Sequence, residues 1–326
     1  MLRASNRWLA TAVLLLAALL VASCGQGAPA YPTKPVTLII PLAAGGAPDA
    51  TFRLLASEAE KELGQKIVVV NRPGPGGTVG VAETIQAKPD GYTIGMCAVA
   101  MVNIQPLMQD VPYKGPDDLE AIVQVDEAPM LLYVKADSRF KTLKEFVEEA
   151  KKQPGQLTVA NAGGLYNIPH ADLALFEKVA GIKVQTVPYG SGDHLPAVLG
   201  GTVDASTGQV ALMTQHIKAG PIRALGVFTA ERSNSLPDSP TFKEQGYDIT
   251  HVPYEFVMAP KGLPKEAKDK LVAAFTKAVK SQAFREYAEK SGLVVAYLGP
   301  DELTKRLKAD AVTYQKLVDE AGWKKK

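Results

Sequence analysis

Cysteine is almost missing from this chain: there are two, Cys24 and Cys97. A disulfide framework is therefore excluded as the source of stability. Tryptophan is as rare, and the four histidines, His170, His194, His216 and His251, never stand at metal-ligand spacing from one another. With so few thiols and no paired histidines, a zinc site has no ligand set. An excess of either charge is missing too. Lys and Arg number 36 against 34 Asp and Glu, a formal net charge of +2. Such a balance, with no long basic run, makes nucleic acid a poor partner, and Lys324-Lys325-Lys326 reads as a solvated tail. No apolar run reaches the roughly 20 residues that span a bilayer. The phosphate loop G-x-x-x-x-G-K-[ST] and the nucleophile elbow G-x-S-x-G are absent as well. Gly190-Ser191-Gly192 comes nearest to the elbow, without its spacing. Gly74 and Gly76 begin a dinucleotide fingerprint, but Val79 stands where the third glycine belongs and Pro75 spoils the tight turn. No cofactor is expected.

What is present begins at the N-terminus. Arg3 and Arg7 are the only charges before the apolar stretch 8–21, the order of a secretory signal. The stretch ends Val21-Ala22-Ser23-Cys24-Gly25, which resembles a bacterial lipoprotein cleavage site. That resemblance implies removal of residues 1–23 and lipid on Cys24; the other reading is an ordinary signal with an incidental cysteine. Loss of Arg3 and Arg7 takes the formal charge from +2 to zero. Residues 24–35, small and proline-rich, read as a flexible tether. The roughly 300 residues that remain are enough for two cores.

Strand and helix patterns then alternate. Short β-rich runs predict strands at 36–40, 67–70, 92–97, 122–125, 130–134, 157–160, 184–187, 203–207, 222–228 and 256–259. Helical spacing of apolar residues predicts helices at 49–63, 142–152, 169–180, 210–219, 264–280 and 300–320. This alternation predicts an α/β fold with a sheet covered on both faces. Four polar, glycine-bearing loops follow strands, at 41–49, 71–80, 161–168 and 188–194. The carboxyl ends of strands are where such sheets bind ligands. A glycine turn opening into a helix leaves several N–H groups free for a small anion. Two of the loops belong to the first half of the pattern and two to the second, so a ligand held between them would be buried on closure.

Single residues in these loops have competing readings. Asp49 follows Pro48 at a helix start and either stabilises the first turn or faces a ligand. Tyr166, Tyr189 and the pair Tyr254-Glu255 either pack or line a cleft. His170 reads as a cap at a helix start, and Glu58, Glu60 and Glu62 as a solvated helix face.

The strings YPTKPVTLIIPLAAGGAPD, LGQKIVVVNRPGPGGTVG, KPDGYTIGM, VPYGSG, LGGTVDA, IKAGPIRALGV, ERSNSLPDSPTFKEQGY and MAPKGLPKE occur in one order. Together they resemble the substrate-binding proteins of tripartite tricarboxylate transporters, the Bug-type receptors, from about Tyr31 to the last helix. The resemblance implies a periplasmic-binding-protein-like, two-lobed clamshell, each lobe a mixed sheet flanked by helices. Lobe 1 would be discontinuous, 31–128 plus 253–326, and lobe 2 would be 129–252. It implies a small carboxylate ligand, either a di- or tricarboxylate or an aromatic acid, held by main-chain amides of both lobes. By position, Ala43, Ala44, Gly46, Asp49, Gly77, Thr78 and Ala98 would hold it from lobe 1. Ala162, Gly163, Tyr166, Asn167 and Tyr189 would hold it from lobe 2. Gly208 and Gln209 stand where many relatives have an Asp-Asn pair. Tyr166 replaces a small residue, and Tyr254, followed by Glu255, lies where relatives often have Trp. A tyrosine with an acid at the mouth suits an aromatic acid or an amine-bearing one. The implied protein is a monomeric, membrane-anchored lipoprotein outside the cytoplasm that serves transporter membrane subunits. Its rivals are a co-sensor for a signalling kinase and an extracytoplasmic enzyme on the same scaffold, which would need Ser191 or Cys97 beside a histidine.

Overall fold

The computed structural model describes residues 30–190, 192–323 and 325. The signal segment 1–23, Cys24, Ser191, Lys324 and Lys326 lie outside the described residues. In chain order the strands are β1 (Val36–Ile40), β2 (Ile67–Asn71), β3 (Thr93–Ala98), β4 (Leu119–Glu127), β5 (Met130–Lys135), β6 (Thr158–Ala162), β7 (Gln185–Tyr189), β8 (Ala205–Gln209), β9 (Ile222–Val227), β10 (Tyr254–Pro260) and β11 (Val294–Leu298). The helices are α1 (Ala47–Leu63), α2 (Thr78–Ile85), α3 (Val99–Asn103), α4 (Gln105–Met108), α5 (Leu143–Lys152), α6 (Ile168–Ala180), α7 (His194–Leu199), α8 (Val210–Ala219), α9 (Lys265–Val279), α10 (Gln282–Ser291) and α11 (Pro300–Glu320).

The strands form two mixed sheets, one in each lobe. The first has six strands in the order β11-β4-β10-β3-β1-β2, the second five in the order β7-β6-β8-β5-β9. In the first, β1 runs parallel to β2 and β3, while β10 lies antiparallel between β3 and β4. Central strands covered on both faces must be apolar throughout. β1, Val-Thr-Leu-Ile-Ile, meets that demand, with Val36, Leu38 and Ile40 wholly buried. One face of this sheet packs on α1 and α9 through Phe52, Leu55, Leu271 and Phe275. The other packs on α3 and α11 through Val102, Leu303, Leu307 and Tyr314. The second sheet is sandwiched likewise, by α5 and α6 through Phe146 and Phe176 on one side and by α8 through Val210 and Met213 on the other.

Local chemistry fixes where the helices begin and end. α1 starts with Pro48 in its first turn and stops at Gly64, whose left-handed backbone (φ 72°) lets its N–H reach the Glu60 carbonyl. α5 opens on a reciprocal capping box between Thr142 and Glu145. The expected tether ends early. Tyr31 is buried and its hydroxyl donates to the Gly91 carbonyl (2.7 Å), so the chain is fastened to the first lobe from residue 31.

Several elements fall outside the predicted runs: the short helices α3, α4 and α7, and also α10 and β11. α10 buries only Phe284 and Ala288, too narrow a stripe to stand out. β11 is an edge strand with no fully buried residue, and its pairing with β4 is irregular. β4 also runs longer than the run 122–125, because Glu120 on one side and Asp126 and Glu127 on the other are carried inside the strand.

Thr142→Ala removes one half of the capping box and should cost about 1 kcal/mol of stability. Chemical denaturation of the variant beside the parent measures it, and an unchanged midpoint would contradict the assignment.

Candidate functional site

The chain passes between the sheets twice, after β4 and before β10. At the crossing the Ala128 N–H donates to the Pro253 carbonyl (2.8 Å), and the Val210 N–H to that of Pro129 (2.8 Å). The two passages therefore form a short paired ribbon. Against it lies a cavity of about 310 Å³ with walls from both lobes. Ala98, Val99 and Ala100 face it from the end of β3 and the start of α3. Gly163 and Asn167 face it from the loop after β6, and Gln209 from the end of β8. Toward the second glycine loop it adjoins a 650 Å³ cavity that adds Gly76, Gly77, Gln105 and Tyr166 and shares Ala98, Ala100, Gly163 and Asn167. On the opposite side, sharing Gln209, Leu212 and Glu255, lies a 110 Å³ cavity walled by Pro48, Thr51, Asp126 and Tyr287. The three make one groove along the interlobe cleft.

The N-termini of α6 and α8 open onto the 310 Å³ cavity, through Ile168 and Leu212. In these first turns Pro169 has no N–H, the His170 N–H goes to Asn167 and the Val210 N–H to Pro129; what the starts add to the cavity is chiefly the positive potential of the helix dipoles. Among the described residues, neither Lys nor Arg lines any of the three cavities. No group of three or more His, Cys, Asp and Glu that could hold a metal is found among them either.

The sequence candidates are placed as follows. Ala98, Ala162, Gly163, Asn167 and Gln209 line the 310 Å³ cavity, and Gly77 and Tyr166 the larger one. Ala43, Ala44 and Gly46 sit on an exposed loop outside all three walls, although their neighbours Leu42 and Ala47 line two of them. Asp49 is turned inward, where it accepts from the Gly45 N–H (3.0 Å), Arg53 Nε (3.0 Å) and Asn71 Nδ2 (2.9 Å). Asn71 also donates to the Leu42 carbonyl (3.0 Å). Asp49 thereby ties the ends of the first two glycine loops together. The Arg53 hydrogen bond, outweighing burial, holds its carboxyl down at about 2.

Four further candidates serve as supports. The Thr78 hydroxyl donates to the Pro75 carbonyl (2.8 Å). The Tyr189 carbonyl accepts the N–H groups of Gly163 (3.0 Å) and Gly164 (3.1 Å), pinning the third loop. Gly208 is packed so closely that a Cβ there would come within 2.9 Å of Met213 and 3.0 Å of Tyr133. Tyr254 is directed away from the cleft: it is buried, its hydroxyl donates to Asp310 (2.7 Å), and Arg306 lies over its ring at 4.0 Å.

Asn167 holds the third loop in shape. Its side chain accepts from the His170 N–H (3.0 Å) and Asn161 Nδ2 (2.9 Å) and donates to the Ala162 carbonyl (2.9 Å). Tyr166 is the one non-glycine residue with positive φ (58°) among the described residues, a conformation costing on the order of 1–2 kcal/mol. Its ring meets Trp323 edge-on at 5.5 Å, while Trp323 stacks on His170 at 4.3 Å. Cys97 is buried and its thiol donates to the Ala98 carbonyl (3.4 Å).

Sequence reasoning passed over Asp126 and His194. Asp126 is the cross-strand neighbour of Glu255, whose N–H it accepts (3.1 Å). Burial pushes the Asp126 carboxyl up to about 7 and, with the Asp126 charge, drives that of Glu255 well above the usual range. The His194 Nδ1 is within 2.7 Å of the Tyr133 hydroxyl and 3.3 Å of Ser206 Oγ. Ser206 itself has no exposed surface.

The sequence model described as "Tripartite tricarboxylate transporter family receptor" matches residues 51–322. The chain belongs to that family. These receptors bind solutes, and three relatives show how far the likeness reaches. Protein BugT of Bordetella pertussis is 30% identical over 97% of this chain and 99% of its own. MatC of Rhodopseudomonas palustris, solved with bound malate, is 27% identical at a TM-score of 0.74, covering 88% of this receptor and all (100%) of that chain. A second R. palustris protein, solved with adipate, is 25% identical at a TM-score of 0.78, covering 91% and 100%. No helix of the described residues in this receptor is long and apolar enough to cross a membrane.

The Asp49 network makes a signed prediction. Its carboxyl lies near 2 in the folded chain against 3.8 unperturbed, so its stabilisation is complete above pH 4 and is lost as pH falls toward 2. Asp49→Asn should cost on the order of 1 kcal/mol at pH 7. In urea titrations between pH 7 and pH 2 the gap to the parent should shrink as the medium turns acid.

Proposed function

We propose that this receptor takes a small carboxylate, a di- or tricarboxylate or an aromatic acid, into the cleft between its lobes and delivers it to the membrane subunits of a tripartite transporter. The observation that carries the reading is the groove walled by both lobes, with small residues such as Ala98, Ala100, Ala162 and Gly163 in its walls, two helix N-termini opening onto its central cavity and neither lysine nor arginine among the residues that line it. A carboxylate can be held by converging N–H groups at such helix starts without a dedicated cation. The relatives with bound malate and adipate support a ligand of this class.

In this mechanism one carboxylate meets the amides around Ala98–Ala100, and the helix starts of α6 and α8 offset its charge. Closing the lobes around the ligand excludes water and strengthens each contact. The closed face is then the surface offered to the membrane partner. Outside the cytoplasm, lipid on Cys24 would keep the monomeric receptor at the membrane that carries the transporter.

A thermal-shift panel of C4–C9 mono- and dicarboxylates tests the ligand class. A true ligand at a hundredfold excess over its Kd adds about 2.7 kcal/mol and raises the melting temperature. A panel that shifts nothing contradicts the proposal. Expression of Cys24→Ser in intact cells should move the protein from the membrane fraction to the released one; retention in the membrane would remove the anchor.

A further inference from the structure

The groove that suits an anion also contains two acids. Glu255 and Asp126 are directly opposed across β10 and β4, so their side chains rise on the same face at the cleft edge of the sheet. Glu255 lines both the 310 Å³ and the 110 Å³ cavities, and Asp126 lines the smaller. Asp126 is 2% exposed. One of its oxygens accepts the Glu255 N–H, and the other, Oδ2, has no hydrogen-bond donor among the described residues. The Glu255 carboxylate has none either, and no lysine, arginine or histidine among the described residues pairs with it. Arg306 is committed elsewhere, to Glu127 (2.5 Å) and Gln124 (3.0 Å) on the Tyr254 face of the sheet.

Two opposed carboxyls with no cation beside them either repel one another or must hold protons, and both states cost free energy. A fold keeps such a conflict where something absent from the free protein resolves it. An anionic ligand alone would deepen the conflict. A positively charged ligand group would remove it.

Resting on the carboxylate reading above, we propose that the ligand of this receptor carries a cationic amine beside its carboxylate, and that the amine seats at Glu255 and Asp126. The 110 Å³ cavity has room for an ammonium group. The Thr51 and Tyr287 hydroxyls, 3.2 Å apart in its wall, supply further oxygens. The carboxylate would lie at the other end of the 310 Å³ cavity, under the start of α6.

The groups facing Glu255 are Asp126 from β4, Tyr287 from α10 and, across the cavity, His194 from α7; Cys97 of β3 and Glu127 of β4 are also close by, Glu127 paired with Arg306. Burial holds Glu255 and Asp126 toward their protonated forms. An ammonium would draw both to the carboxylate form, so binding should release protons.

Calorimetry on matched pairs tests the proposal. The pairs are glutamate with glutarate, 5-aminopentanoate with pentanoate, and 4-(aminomethyl)benzoate with 4-methylbenzoate. In at least one pair the amine-bearing member should bind at least about tenfold tighter, with a heat that varies with buffer ionisation in the sense of proton release. Glu255→Gln should erase that preference and the proton release. The same variant should melt no lower than the parent without ligand, since it removes one of the two opposed acids. Equal or tighter binding of the amine-free member in every pair overturns the amine site and leaves the carboxylate reading standing. A preference that survives Glu255→Gln overturns it as well. No binding by any member overturns both.

Discussion

Everything at the cleft depends on one pair of antiparallel strands. β4 and β10 are neighbours in the first sheet, and they carry the chain out of it and back. The Ala128 to Pro253 hydrogen bond keeps the two passages together at the crossing. The floor of the ligand groove and the link between the lobes are therefore the same few residues. Asp126 to Pro129, Pro253 and Glu255 line the cavities while also joining the two halves. A ligand on that floor touches the elements any change of interlobe angle must bend. A second connection lies on the far side. Trp323, after α11, stacks on His170 of α6, and Lys178 pairs with Glu320 (2.9 Å). Opening the cleft would have to separate those contacts.

The electrostatics follow from this layout. Strands of both sheets end at the groove, so the helices that follow them start there. Their N–H groups supply the positive potential that an arginine supplies in other carboxylate sites. The glycine loops bring main chain close, and a ring of polar contacts keeps them in place. Asp49 fastens the first two, Asn167 shapes the third, and the Tyr189 carbonyl pins the third to the strand beside it. The acids at Glu255 and Asp126 oppose an anion and, unlike Glu127 beside them, have no arginine partner, which is why they carry the most information about the ligand.

The parts of this arrangement that were legible in the sequence were local. The strand and loop alternation, the helix at 210–219 and the stop at Gly64 rest on periodicity and on glycine's left-handed backbone, which a short window reveals. The resemblance supplied the lobes. Long-range packing hid the rest. Nothing near Asp49 announces that Asn71 and Arg53 will meet it. Tyr254 was drawn toward the cleft because its neighbour Glu255 lies there, yet successive side chains on a strand point to opposite faces. Asp126 was invisible for a related reason: its significance comes from a partner 129 residues away. Asp126 also extended β4 beyond the apolar run that marked it.

The most direct measurement is a crystal structure of the receptor with the ligand that survives purification or the tightest binder of a carboxylate panel. The account predicts density in the groove, with a carboxylate within hydrogen-bond distance of main-chain N–H groups at Ala98–Ala100 and the ligand resting on the β4–β10 ribbon. A ligand found outside the interlobe groove, or held there by a lysine or arginine side chain in place of the main chain, would contradict it.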